Sequence, residues 1–225
     1  MTRPFDLPRL GLAVLTVGLL CGCASFLPSS DDLAPRLSLD AGSARAPRGE
    51  TLPVTLSVAD PRSEAVFNTS SVAVQTSPLQ YGYLSGAEWT DRAPLMLGLF
   101  LERSFENTGL FAAVGDQVSL PVSDYALLTD IRAMHLDRTG GESRAVIAYG
   151  ARLQSRRGAT IGSEIFREEV PVVGTGNDAA VTALNAAAQR IADRTLDWML
   201  PLIGEDNAAY ERAREERAQR RATRS

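Results

Sequence analysis

The chain has 225 residues, 44% of them hydrophobic and 22% charged, with a formal net charge of −4. That is an ordinary globular composition. The acidic balance leaves no excess of cations to displace phosphate counterions, which argues against a nucleic-acid partner.

The first element is a targeting signal. Arg3 and Arg9 form a positive n-region, Leu10 to Leu20 an apolar h-region, and Leu20-Cys21-Gly22-Cys23 places small residues before a cysteine. The apolar run is too short to cross about 30 Å of hydrocarbon as a helix, and it has the anatomy of a secretory signal. A buried N-terminal helix with two incidental cysteines would show an amphipathic period, and this segment does not. L-x-G-C resembles a bacterial lipobox, with Leu20 at −3, Gly22 at −1 and Cys23 as the lipid acceptor. Cys21 fits less well, because Leu20 would then stand at −1, where a small residue belongs. Residues 1–22 therefore read as a lipoprotein signal peptide, and 23–33, rich in Ser, Pro and Asp, as a lipidated tether. Once Cys21 is removed and Cys23 acylated, no thiol remains for a disulfide, a CxxC motif or a thiolate metal cluster. Ala24 stands where enteric inner-membrane lipoproteins carry Asp, so by analogy the destination is the periplasmic face of the outer membrane.

Residues 34–203 read as one domain, a length that can bury its own core. Leu37 and Leu39 suggest a first strand, and a Gly/Pro/Arg-rich loop follows. Leu52, Val54, Leu56 and Val58 alternate with polar or Pro positions as a half-buried strand. Val72, Val74 and Thr76 repeat the pattern, and Tyr81 and Tyr83 form a short aromatic strand ending in a turn at Ser85-Gly86. Helix one opens at Thr90 or Asp91 ahead of Pro94 and closes at Asn107-Thr108-Gly109. Its apolar stripes are Leu95, Met96, Leu99 and Phe100, flanked by Leu97, Leu101 and Phe105. Phe111, Val114 and the run from Val118 to Val122 give one or two short strands. Tyr125 to Leu136 and Ala145 to Ser155 are long strands joined by the Arg138–Gly141 turn, and a third runs from about Thr160 to Val173. Helix two carries Val181, Leu184, Ala188, Ile191, Thr195, Trp198 and Leu202 at 3,4 spacing, from a cap at Asn177 or Asp178 to Gly204. Residues 204–225 are a charged, Arg-rich tail, either a solvated helix extension or a contact for lipid head groups or an anionic polymer. The order predicts an α+β fold, a mostly antiparallel sheet with two amphipathic helices on one face.

Two strings resemble catalytic motifs and fail on context. Gly174-Thr175-Gly176-Asn177-Asp178-Ala179 fits G-x-G-x-x-A, but a dinucleotide site needs a second parallel strand after the helix, and a charged tail follows instead. Gly141-Glu142-Ser143-Arg144-Ala145 mimics a nucleophile elbow, but it sits in a hairpin turn leading into a strand. The one histidine, His135, precedes it and reads as structural. Glu164, Glu168 and Glu169 alternate with Arg on a solvent face. One histidine and no retained thiol exclude the usual zinc sites. These residues predict no catalytic site, no metal site and no cofactor besides the lipid on Cys23, hence a non-enzyme.

Taken in order, the lipobox, the strand TLPVTLSVADP, the stretch SVAVQTSPLQYGYLSGAEWTDRAPLMLGLFLERSFENTGLFAAV, a D-Y-x-L-x-x-x-I strand from Asp124 to Ile131 and a closing amphipathic helix resemble the ABC-type transport auxiliary lipoprotein family. Ser77-Pro78, where the family often has a charged segment, and the longer Arg-rich tail depart from it. The resemblance implies a tethering and docking role beside ABC transporter and MCE-domain subunits that move lipids or other apolar molecules. Tyr81, Tyr83 and Trp89 are the candidate interface aromatics, although Trp89 equally suits packing against helix one. A homo-oligomer is compatible with this reading. The alternative is a structural or assembly lipoprotein of the outer membrane.

Overall fold

The computed structural model describes residues 36–42 and 51–224. Cys23, the signal-like segment and the tether lie outside these residues. In chain order come β1 (Arg36–Leu37), β2 (Leu52–Val58), β3 (Arg62–Ser63), β4 (Ser71–Ser77) and β5 (Gln80–Trp89). Helix α1 (Ala93–Glu106) follows, then β6 (Phe111–Asp116), β7 (Tyr125–Asp137), β8 (Arg144–Ser155), β9 (Thr160–Pro171) and helix α2 (Gly176–Ala222).

One edge of β7 pairs with β8 from Tyr125–Ser155 to Asp137–Arg144, and β8 pairs with β9, both antiparallel through tight turns. The other edge of β7 is shared by three strands in tandem, each parallel to it. β2 lies against Tyr125–Leu127, β3 against Asp130–Ile131, and β4 against His135–Asp137. Outside these, β6 runs parallel to β2, β5 antiparallel to β4, and β1 parallel to β5. The fold is α+β as expected. The expected antiparallel character belongs to the long ladders, while the short links between remote segments are parallel, so the sheet is mixed.

A bulge in β7 decides which residues face the helices. Ile131 is opposite Tyr149 and Ala133 opposite Ala148, which leaves Arg132 as the extra residue. One added residue inverts a period of two. Tyr125, Leu127, Thr129 and Ile131 are buried before the bulge, and Met134 and Leu136 after it. All but Thr129 join Met96, Leu97, Phe100, Leu101 and Phe105 of α1 and Leu184, Ile191, Met199 and Ile203 of α2 in one continuous core. Every residue of that core lies within the compact unit Pro35–Ser225.

Several expected boundaries shift for local reasons. The N-cap of α1 is Arg92, with Pro94 in the first turn, and the Asp91 carboxylate accepts the Arg92 amide at 2.6 Å. Leu95 and Leu99, read as core, lie towards solvent, since Leu97, Leu101 and Phe105 hold the centre of the stripe. The run Val118 to Val122 is a loop after β6, not a strand. The Asp116 carboxylate organises it by accepting the amides of Val118 and Ser119. Ser85-Gly86 is not a strand end. Ser71 faces Glu88 while Ala73 faces Tyr83, so residues between them on β5 bulge outward, and Gly86 supplies φ +73° there without a Cβ clash. The cap of α2 is Thr175. Asn177 instead donates its amide to the carbonyls of Ser85 and Gly86 at 3.3 and 3.2 Å. The string that mimics a nucleotide fingerprint thus pins the start of α2 to the β5 bulge.

Gly204 does not end α2, which continues to Ala222. Trp198 lies at the margin of the buried stripe, partly buried and edge-on to Phe166 with ring centroids 5.6 Å apart. Beneath it, a Cβ on Gly162 of β9 would come 2.9 Å from the Trp198 ring and 2.5 Å from Leu202. Gly162→Ala is expected to cost about 1–3 kcal/mol by forcing α2 off the sheet. Urea unfolding of residues 35–225 measures this, and an unchanged midpoint would mean that the two side chains yield freely.

Candidate functional site

The helices cover one face of the sheet, so its other face is available for contact. Tyr149 marks the covered side, since its hydroxyl lies 2.8 Å from Thr195 Oγ1 on α2. Residues on either side of Tyr149 alternate to the opposite face, where Ala133, Val146 and Ala148 form a second, small apolar cluster. Directly paired residues on neighbouring strands share a face. One row therefore crosses this side as Tyr83, Ala73, His135, Val146 and Glu169. Tyr81, at the end of an adjacent row through Gln75, Asp137 and Arg144, meets the His135 ring edge-on at 5.4 Å. Phe67, from the loop before β4, stacks on His135 at 6.1 Å and contacts Tyr81 at 5.7 Å.

Of the three candidate interface aromatics, two lie on this open face. Tyr81 is 41% exposed and Tyr83 is 51% exposed, and Ile165 joins them at 55%. Trp89 does not belong with them. It is 1% exposed and sits in the core with α1, because the bulge at Gly86 shifts the later part of β5 relative to Tyr81 and Tyr83.

His135 is a core residue of unusual chemistry. It is 3% exposed, and among the described residues neither ring nitrogen has a hydrogen-bond partner. Burial holds its pKa below the usual 6.5. Asp137 and Glu169 oppose that shift, and Arg167 adds to it. The Tyr81 hydroxyl is pushed up, first by burial and then by Glu64 and Asp137. Well above pH 6.5 the imidazole is neutral in both folded and unfolded chains. Below it the unfolded chain binds a proton that the folded one resists, so stability falls with pH until the folded ring titrates. The loss approaches about 1.4 kcal/mol per pH unit. His135→Phe keeps the stack and removes the proton site. Its urea midpoint is expected to fall less than the parent's between about pH 7.5 and 5.5, and equal falls would mean that the ring titrates as in solution.

A polar clamp closes one end of the sheet. Asp124 Oδ2 accepts the Thr55 amide and hydroxyl at 2.9 and 3.1 Å, while Oδ1 faces Arg156 at 3.4 Å. The Arg156 guanidinium donates to Asn207 at 3.0 Å and lies 3.9 Å above the Tyr210 ring, a cation–π geometry. Tyr125 donates its hydroxyl to Asp206 at 2.9 Å. Its pKa is pushed up to about 12, chiefly by burial and then by that carboxylate. The Asp124-Tyr125 pair thus ties β2, the β8–β9 turn and the segment of α2 beyond Gly204 together. No alternation or period signals these contacts. Arg156→Ala is expected to accelerate amide hydrogen exchange in residues 205–213 while leaving β7 and β8 protected, as read by mass spectrometry.

The catalytic look-alikes come apart. Ser143 lies in the turn before β8, where its carbonyl accepts the Val172 amide at 2.9 Å, and His135 is enclosed by Phe67 and Tyr81. A groove of about 290 Å³ on the open face is lined by Asp60, Arg62, Asp130, Arg132, Arg152 and Glu164 with Leu128 and Ile165. Charges of both signs suit a wet surface rather than an acyl chain. No helix among the described residues is long and apolar enough to cross a membrane.

The sheet is thus packed by helices on one side and presents aromatics on the other. Residues 36–195 match the family described as ABC-type transport auxiliary lipoprotein component, and the chain belongs to that family. The family is one of auxiliary components of transport, not of enzymes. In fold, the chain is similar to protein XCC0632 from Xanthomonas campestris, with a TM-score of 0.71, 24% identity, and 78% of this chain and 99% of that one covered. A second crystal structure, of an uncharacterised protein, gives a TM-score of 0.55 at 19% identity over 70% of this chain and 99% of that chain. In sequence, the chain is 29% identical over 152 residues to the uncharacterised protein bll6063 of Bradyrhizobium diazoefficiens, covering 68% of this chain and 41% of that protein. The chain therefore spans less than half the length of that relative.

Proposed function

We propose that the protein is a lipid-anchored accessory subunit at the periplasmic face of the outer membrane, docking through its open sheet face. Its partners are the MCE-domain and ABC transporter subunits of a system that moves lipids or other apolar substrates. The observation that carries this reading is the exposure of Tyr81, Tyr83 and Ile165 beside a buried apolar cluster on the helix-free side. Aromatic side chains around a water-excluded centre are the composition of a contact surface. The charged groove on that face supports a docking role over one of carrying lipid in a pocket.

The anchor does its work through position. Acyl chains on Cys23 contribute about 0.8 kcal/mol per buried CH₂, and tethering raises the domain's effective concentration near a partner in the same envelope. Family membership as a lipoprotein supports this anchor. Cys23→Ser is expected to abolish fatty-acid labelling, since the thioether needs that sulfur and no later cysteine exists. Persistent label would overturn the lipobox reading.

Site-directed photo-crosslinking in cells tests the docking face. A crosslinker at residue 81 or 83 is expected to capture a transporter or MCE-domain subunit, while one at the exposed Leu99 of α1 captures far less. Adducts only with a second copy would assign the face to self-association. Adducts only with outer-membrane assembly components would favour the structural alternative.

A further inference from the structure

The segment of α2 beyond Gly204 has a feature that the transport reading does not use. At about 100° per residue, Arg214, Arg217, Arg220 and Arg221 fall within an arc of roughly 120°, and Arg224 follows in the turn just past the helix end. Glu211, Glu215 and Glu216 lie outside that arc. The five arginines are exposed, and Arg157 of the β8–β9 turn faces the same side. It lines a groove of about 400 Å³ together with Tyr210, Ala213, Arg214, Arg217 and Arg221. Arg214 is shared with Glu211 at 3.3 Å. Among the described residues, no carboxylate lies within ion-pair distance of Arg157, Arg217, Arg220 or Arg221. A chain of net charge −4 thus concentrates positive charge on one side of one helix.

The clamp makes this a fixed surface rather than a loose tail. Asn207 and Tyr210 are held by Arg156, and Asp206 by Tyr125. These contacts set the rotation of the helix, so the basic arc faces one direction relative to the sheet.

The geometry points to an anionic phospholipid surface as the occupant of this arc. Guanidinium groups meet phosphate with two parallel hydrogen bonds, and a row of them matches a layer of headgroups. A protein partner would need an apolar centre from which water is driven, and the arc offers only Tyr210 and Ala213. A coiled-coil partner would need an apolar seam, and residues 211–224 hold no side chain more apolar than Ala. An inserted interfacial helix would carry Trp, Phe or Leu on one side, so contact here is peripheral and electrostatic. Each cation near an anionic leaflet strengthens partitioning roughly fivefold. This surface is separate from the open sheet face, and the inference does not depend on the transporter partner.

Vesicle co-sedimentation tests it with residues 35–225, which contain the whole core and lack Cys23, so the lipid anchor plays no part. The unit is expected to bind vesicles of phosphatidylglycerol mixed evenly with phosphatidylcholine and not vesicles of phosphatidylcholine alone. Binding should drop at least about tenfold between about 50 and 300 mM NaCl, as exposed charges are screened. The combined variant Arg217→Gln, Arg220→Gln, Arg221→Gln, Arg224→Gln should lose at least about twentyfold while circular dichroism shows the helix intact. Arg212→Gln, on the opposite side, should change binding less than about threefold. Equal binding to neutral vesicles, no binding at low salt, or parent-like binding by the combined variant would each overturn the inference. So would capture by polyglutamate without vesicle binding, which would assign the arc to an acidic protein.

Discussion

The fold depends on β7 having two different edges. One edge carries a continuous antiparallel ladder to β8, built from segments adjacent in sequence. The other is divided among β2, β3 and β4, which never contact each other as ladder neighbours yet all read their register from the same strand. Over its thirteen residues this strand does not keep one alternation throughout. The extra residue at Arg132 is where it changes. By inverting the alternation midway, the bulge lets Tyr125 and Leu127 in one half, and Met134 and Leu136 in the other, reach the same pair of helices.

That inversion also explains why two polar devices sit on opposite sides of one strand. Tyr125, before the bulge, sends its hydroxyl under the helices to Asp206. His135, beyond it, is turned to the open face and enclosed by Phe67 and Tyr81. With uninterrupted alternation, two odd-numbered positions would share a side. The open face therefore owes its histidine, and the aromatic packing round it, to a single inserted residue.

What the sequence made legible was whatever repeats locally. The alternation in Leu52–Val58, the long strands from Tyr125 and Arg144, and the 3,4 series from Leu184 to Thr195 are each carried by neighbouring residues, and each element stands where its pattern put it. The long antiparallel ladders followed because tight turns join them. The parallel links did not, since they join strands separated by a helix and other strands, and nothing in either partner's own pattern names the other. Trp89 was ambiguous for a similar reason: its side depends on the bulge at Gly86, which reads as a turn. Gly204 reads as a helix end because its local cost of about 1 kcal/mol against Ala is visible, whereas the contacts that offset it come from Asp124, Tyr125 and Arg156, far away in the chain. Of the site, Tyr81 and Tyr83 were legible as exposed aromatics. The roles of His135 and Phe67 were not, because they rest on which residues lie side by side across four strands.

The tandem edge of β7 has a consequence for the order in which the molecule assembles. β7, β8 and β9 close through short loops and need only one another, so they can form as a local unit. β2, β3 and β4 are made earlier but lack the edge of β7 until residues 125–137 arrive. Contacts of high sequence separation form slowly, because loop closure must precede any gain from pairing. Of β2, β3 and β4, only β4 has a neighbour in sequence to pair with, β5. β2 therefore waits unpaired until β6 and β7 are made, and any factor that shields emerging chains would find its longest engagement at Leu52–Val58.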